Sequence, residues 1–123
     1  MDKATIVQWN CRGFRANYEE LKNILALKDP VVLCLQETYL KPTDSCTLKG
    51  FACQSVFSTA TDGRPIGGAS ILVREEVPHG FISLSTPLQA VAVQVHLHRL
   101  ITICSIYIPP SSPCSSSDLE NLW

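Results

Sequence analysis

Apolar residues fall along this chain in short runs broken by polar punctuation, and the length of each run limits what it can form. Residues 4–9, ATIVQW, are rich in β-formers and end at Asn10-Cys11-Arg12-Gly13, a turn-like polar stop that predicts a first strand. In the following stretch, NYEELKNILALK, Tyr18, Leu21, Ile24, Leu25 and Lys28 fall on or near one face at helical spacing. Asn17 with Glu20 three residues on resembles a capping box, and Asp29-Pro30 stops the run, so a helix over 17–28 is expected. Residues 31–36, VVLCLQ, are continuously apolar and too short for a helix, the mark of a strand covered on both faces. Strand, helix and strand joined by short loops predict a parallel βαβ unit with a right-handed crossover.

The second half changes character. FACQSVFS, GASILVRE, GFISLS, LQAVAVQVHL and LITICSIYI are β-rich runs separated by Gly, Pro, Ser or polar turns, which predicts a mostly antiparallel meander. Within 91–98, Val91, Val93, Val95 and Leu97 alternate with Ala92, Gln94, His96 and His98, giving one strongly apolar and one mixed face. A tight connection at His98-Arg99 leads to a last strand ending at Tyr107-Ile108, before Pro109-Pro110. Residues 1–110 read as one layered α/β unit, and 111–123 as a Ser/Pro-rich loop followed by a helix start. Ser117 and Glu120 supply a second capping-box pattern there, in a helix that stops with the sequence after about one turn.

Composition narrows this picture more than it enlarges it. With 46% hydrophobic and 17% charged residues the chain has apolar surface for one core. Its formal net charge of -1 supplies no global field toward nucleic acid or an anionic membrane, so any DNA contact must be local. No run reaches the ~18 apolar residues of a membrane span and the N-terminus lacks a signal-peptide pattern, so an intracellular protein with no membrane partner is expected. The cysteines show no CxxC pair, and Cys34 and Cys104 lie in apolar runs, which suits buried free thiols.

In a parallel βαβ unit both strands end on the same edge, where sheets of this kind bind ligands. Asn10 after the first strand and Glu37 after the second therefore arrive as neighbours. Here the motifs take over: IVQWNCRG, VVLCLQET, GGASILV and ITICSIYIPP stand in the order and rough spacing of the endonuclease/exonuclease/phosphatase superfamily. WNCRG, LQETYLKP and SIYIPPSS are most similar to the endonuclease domain of non-LTR (LINE-type, jockey-like) retrotransposons. The resemblance covers nearly the whole chain and corresponds to about the first half of that family's domain. It implies a partial four-layer α/β sandwich, a βαβ unit followed by antiparallel strands, with the C-terminal half of the domain missing.

The resemblance also implies roles. Glu37 matches the ligand of a divalent metal, Mg²⁺ or Mn²⁺; Asn10 matches the residue that positions the hydrolytic centre; Tyr107 matches the tyrosine that supports the scissile phosphate. Arg12 and Arg64 are candidate phosphate contacts and Gln36 a supporting residue. The implied activity is hydrolytic nicking of target DNA, with a reverse transcriptase domain on the same parent polyprotein and a nuclear location. The GDFN-like motif and the later Asp-His pair of the family do not occur in residues 1–123, so the chain alone is expected to be inactive. A phosphoinositide or sphingolipid phosphodiesterase fragment and a non-catalytic remnant remain as alternatives.

Read as residues alone, each candidate has an ordinary explanation. A strand-end glutamate suits a solvated loop, Asn10 a turn, and Tyr107 an amphipathic rim. Lone arginines are usually solvated. His96 and His98 flank a turn away from the Asn10–Glu37 edge and read as an exposed face, and Gly67-Gly68 as close backbone packing or a bulge.

Overall fold

The computed structural model describes residues 3–110 and 115–122. Among the described residues seven strands and two helices follow in the order β1 (Ile6–Asn10), α1 (Tyr18–Lys28), β2 (Val32–Gln36), β3 (Phe51–Thr59), β4 (Pro65–Arg74), β5 (His79–Ile82), β6 (Gln89–His96), β7 (Leu100–Tyr107) and α2 (Ser116–Glu120). The βαβ expectation holds: β1 and β2 pair in parallel, with Ile6 opposite Val32 and Asn10 opposite Gln36. The strand first expected over 4–9 runs on through Asn10, because Cys11 N–H continues the ladder to Gln36 O at 3.0 Å. The chain then turns at Arg12 and Gly13, both with positive φ.

The antiparallel second half is divided between two sheets. After the β3–β4 hairpin, β4 pairs antiparallel with β2, giving a first sheet in the order β1-β2-β4-β3. Strands β5-β6-β7 form a second, wholly antiparallel sheet. The two sheets pack face to face, so this chain contributes strands to both β layers of the sandwich. Val31, Val32, Cys34, Ala69, Ile71 and Val73 from the first meet Val91, Val93 and Val95 from the second. The alternation foreseen for 91–97 supplies that inner face. On the other side of the first sheet Leu21 of α1 joins Phe14, Leu33, Leu35, Leu40 and Leu72 in a second apolar cluster.

The helix ends differ from expectation. Asn17 stands at the N-cap of α1 with no side-chain cap bond. Its amide Nδ2 instead donates to Cys11 O at 2.8 Å and Arg12 O at 3.2 Å, tying the loop after β1 to the helix start. At the other end Asp29 adopts a left-handed conformation (φ 44°) and closes the last turn onto Leu25 O. The capping box of α2 lies two residues earlier than the Ser117–Glu120 reading: Ser115 caps and Asp118 replies, because an aspartate at the third position can return the bond as well as a glutamate. Of the 111–123 segment, residues 111–114, including Cys114, fall outside the described residues. No helix among the described residues is long and apolar enough to cross a membrane.

The buried-thiol reading holds for Cys34, whereas Cys104 is only half-buried, because it lies on the less covered face of β7. Cys11, Cys34, Cys46, Cys53 and Cys104 are all free, and burial first, then the neighbouring Cys104, pushes the Cys34 thiol up to about 11. A thiol held protonated is a poor nucleophile.

Candidate functional site

The parallel pairing of β1 and β2 fixes where their tails go. Asn10 and Gln36 are register partners, so the residues that follow leave the sheet side by side. Asn10 Nδ2 donates to Glu37 Oε1 at 2.8 Å, and the hydroxyl of Tyr39 donates to Glu37 Oε2 at 2.6 Å. Tyr107, at the end of β7, comes from the opposite sheet and lies close enough to the carboxylate to affect its charge. Asn10, Glu37 and Tyr107, distant in sequence, are thus assembled around one carboxyl group.

The loop bearing Glu37 is held from both sides. On one flank Gly13 N–H donates to Glu37 O at 2.7 Å and Phe14 N–H to Thr38 O at 2.9 Å. On the other, Glu37 N–H donates to Gly68 O at 2.9 Å and Tyr39 N–H to Gly67 O at 3.0 Å. Glu37 and Tyr39 both adopt positive φ, 52° and 55°, conformations that cost non-glycine residues of order 1–2 kcal/mol and persist only when the surroundings impose them. Here the double clamp imposes them. It turns the chain so that residues 37 and 39 present side chains to the same carboxylate cluster while Thr38 points inward, 1% exposed.

The electrostatics follow from these bonds. The Tyr39 hydroxyl, then the Asn10 amide, favour the ionised form of Glu37 and hold it below the usual glutamate range, with smaller contributions from the Arg12 charge and Tyr107. Reciprocally, the bond to Glu37 raises the Tyr39 hydroxyl, and desolvation followed by the Glu37 charge raises Tyr107. Both tyrosines therefore stay protonated donors at neutral pH. Glu37 is an accessible oxygen donor, ionised at neutral pH, beside an amide and two hydroxyls.

That donor set suits a hard cation. Mg²⁺ prefers oxygen, retains waters and needs only one or two carboxylates together with a substrate phosphate. The chemistry of the oxygen cluster fits it, whereas no group of three or more His, Cys, Asp or Glu side chains gathers among the described residues as a closed metal cage would require.

Gln36 lies directly beneath. Its Nε2 donates to Ser105 Oγ of β7 at 3.0 Å, its Oε1 accepts from Gln8 Nε2 of β1, and Ser105 Oγ donates to Leu35 O at 3.0 Å. This buried polar node joins β1, β2 and β7 below the carboxylate. Arg12 is close enough to Glu37 and Tyr39 to affect both charges. Arg64 stands at the tip of the β3–β4 hairpin, which extends past the same sheet edge, and pairs with Asp62 at 3.4 Å. The histidines lie at the far end of the second sheet: His96 pairs with Leu100 in a ladder whose other end is Gln89–Tyr107.

Sequence reasoning missed Tyr39, Thr38 and Gln89, and it left the Gly67-Gly68 pair as packing. Tyr39 had a signal, since it sits two residues beyond Glu37 in the same loop. The glycines do allow close packing, and what they pack against is the site loop: a Cβ on Gly68 would stand 2.7 Å from Thr38 Oγ1. Thr38 Oγ1 has no hydrogen-bond partner among the described residues.

The comparisons with known proteins agree with the fold. Over 121 residues the chain is 25% identical to the RNA-directed DNA polymerase from mobile element jockey of Drosophila funebris, covering 94% of this chain and 13% of that protein. In fold it resembles the endonuclease domain of TRAS1, a telomere-specific non-LTR retrotransposon, with a TM-score of 0.69, 24% identity and coverage of 94% of this chain and 50% of that one. An AP endonuclease from Archaeoglobus fulgidus matches with a TM-score of 0.57 at 19% identity, over 87% of this chain and 42% of that one. The chain thus spans half the length or less of each of these relatives. The endonuclease/exonuclease/phosphatase family matches over residues 7–113, and this chain belongs to it.

Proposed function

We propose that the chain carries the metal-binding and phosphate-positioning part of a Mg²⁺- or Mn²⁺-dependent phosphodiesterase that nicks DNA, as in the endonuclease domains of non-LTR retrotransposons. The observation that carries the reading is the Asn10–Glu37–Tyr39–Tyr107 cluster at the carboxyl edge of the parallel pair. Family membership and the likeness to a jockey polyprotein support it, and by the same likeness a reverse transcriptase domain is the natural companion on a parent polyprotein.

A phosphodiester resists hydrolysis because its negative charge repels the nucleophile. A divalent cation, when bound, supplies Lewis-acid polarisation of the phosphoryl oxygen. The residues of this chain do the holding. Glu37 would bind the cation through an oxygen kept ionised by Tyr39 and Asn10. Asn10, anchored by the β1–β2 register, orients that carboxylate. The Tyr107 hydroxyl, a neutral donor at the rim, is placed to support a phosphate oxygen, with Arg12 adding positive charge nearby. Arg64, at the hairpin tip, would reach flanking backbone phosphate.

Hydrolysis also requires a group that activates water. His96 sits seven residues along β6 from Gln89, on the order of 23 Å at strand rise, too far to act at Glu37. The GDFN-like motif and the later Asp-His pair of the family do not occur in residues 1–123, and we infer that these residues bind metal and phosphate without completing the reaction. Nicking of supercoiled plasmid by the purified chain in Mg²⁺, with Glu37→Ala as control, tests this. The expected result is no Glu37-dependent nicking; nicking abolished by Glu37→Ala would show that a base within this chain activates water.

A further inference from the structure

The turn at Gly67-Gly68 is one wall of the clamp on Glu37, and its own anchor comes from the opposite sheet. Gln89, the first residue of β6, accepts a hydrogen bond from Gly68 N–H through Oε1 at 2.7 Å. The same amide group fills the space beside Gly67, where a Cβ would stand 2.5 Å from Gln89 Oε1. Both glycines have positive φ, 54° and 90°, so the turn has a shape that side-chain-bearing residues would resist. Gln89 is also the register partner of Tyr107 on β7. One side chain therefore connects the strand position opposite Tyr107 to the turn whose carbonyls hold Glu37 and Tyr39.

We propose that Gln89 is a positioning residue that fixes the separation between the Glu37 carboxylate and the Tyr107 hydroxyl across the two sheets. Most of the contact between the sheets is apolar. Apolar contact is strong but non-directional, and does little to set where one sheet edge lies relative to the other. A hydrogen bond is directional, and a site of this kind needs its groups held to about 0.5 Å. The Gln36–Ser105 bond supplies one such tie below the carboxylate. The Gln89–Gly68 bond supplies another, acting on the loop itself. Gln89 reaches Glu37 only through the backbone of Gly68, so it positions and does not catalyse.

The inference rests on Glu37 as the metal-holding group, and the test separates the two. Amide hydrogen exchange is measured on the full chain, wild type, Gln89→Ala and Gln89→Glu, alongside Mn²⁺ binding by electron paramagnetic resonance. Loss of one hydrogen bond should speed exchange of the Glu37 and Tyr39 amides about fivefold or more in Gln89→Ala, with β2 core amides unchanged. Mn²⁺ affinity should fall in parallel, and Gln89→Glu, which keeps the acceptor oxygen, should restore both. Wild-type exchange at Glu37 and Tyr39 in Gln89→Ala would overturn the proposal, as would equal acceleration throughout β2, the sign of general loosening. Equal Mn²⁺ binding by wild type and Glu37→Ala would instead overturn the metal reading, while the exchange data still decide whether Gln89 holds the loop.

Discussion

Strands β1 and β2 are parallel neighbours paired at five positions, yet they live in different surroundings. Every residue of β2 is buried, whereas β1 alternates between exposed and half-buried. The register explains the difference. Val7 and Trp9 of β1 pack toward the cluster under α1, as Leu33 and Leu35 of β2 do. Ile6, Gln8 and Asn10 share the face of Val32, Cys34 and Gln36, but the second sheet covers that face over β2 and β4 and leaves it open over β1, where Ile6 is 44% exposed. The buried strand delivers Glu37 on a rigid stem. Its open neighbour leaves Asn10 exposed to solvent.

Truncation at matched positions should separate the two strands most strongly. Leu33→Ala should cost about 2–5 kcal/mol in urea unfolding, since Leu33 is fully enclosed, while Ile6→Ala should cost at most about 1 kcal/mol. Equal losses would mean that β1 is covered in solution. The polar face offers a second contrast. Gln36→Ala removes a buried partner from Gln8 and Ser105 and should cost about 1–3 kcal/mol. Asn10→Ala, at the open edge, should cost about 0.5 kcal/mol or less while weakening Mn²⁺ binding.

These contrasts were only partly legible in the sequence. The βαβ unit was readable because an apolar run of strand length followed an amphipathic helix, and adjacency of Asn10 and Glu37 followed from that topology alone. The division of the later strands was not readable. GASILVRE looks like a meander strand, and only its antiparallel pairing with β2 sends it to the first sheet. Periodicity reports which face of a strand is apolar, not which sheet will cover it. Tyr39 escaped because its role depends on backbone with positive φ, imposed by distant glycines. Gln89 escaped because its partner lies in the other sheet, and nothing local distinguishes it from any strand-start glutamine.

Titration sharpens the comparison further. The lowered Glu37 pKa means that the ionised form is favoured in the folded protein, so its contribution is present above the ordinary glutamate range and is lost as pH falls through the depressed value. Mn²⁺ binding should follow the same course. Tyr39→Phe removes the largest cause of the depression and should move the loss of binding to higher pH; Tyr107→Phe should move it less. A pH profile of Mn²⁺ binding unchanged by Tyr39→Phe would contradict the assigned hydrogen bond. The smallest effects belong to the arginines. Arg12→Ala should weaken binding of a short DNA duplex modestly and reduce its salt dependence, and Arg64→Ala should do so less, because Asp62 already engages that side chain. Competition binding at two salt concentrations would rank them.

The role proposed for Glu37, held ionised by Asn10 and Tyr39, is that of oxygen ligand to a divalent cation. Its most direct test is Mn²⁺ titration of the purified 123-residue chain by electron paramagnetic resonance, in wild type and Glu37→Ala, with Mg²⁺ as competitor. The expected result is saturable Mn²⁺ binding that Mg²⁺ displaces and Glu37→Ala abolishes with circular dichroism unchanged. Binding of equal strength in both proteins, or none in the folded wild type, would contradict it.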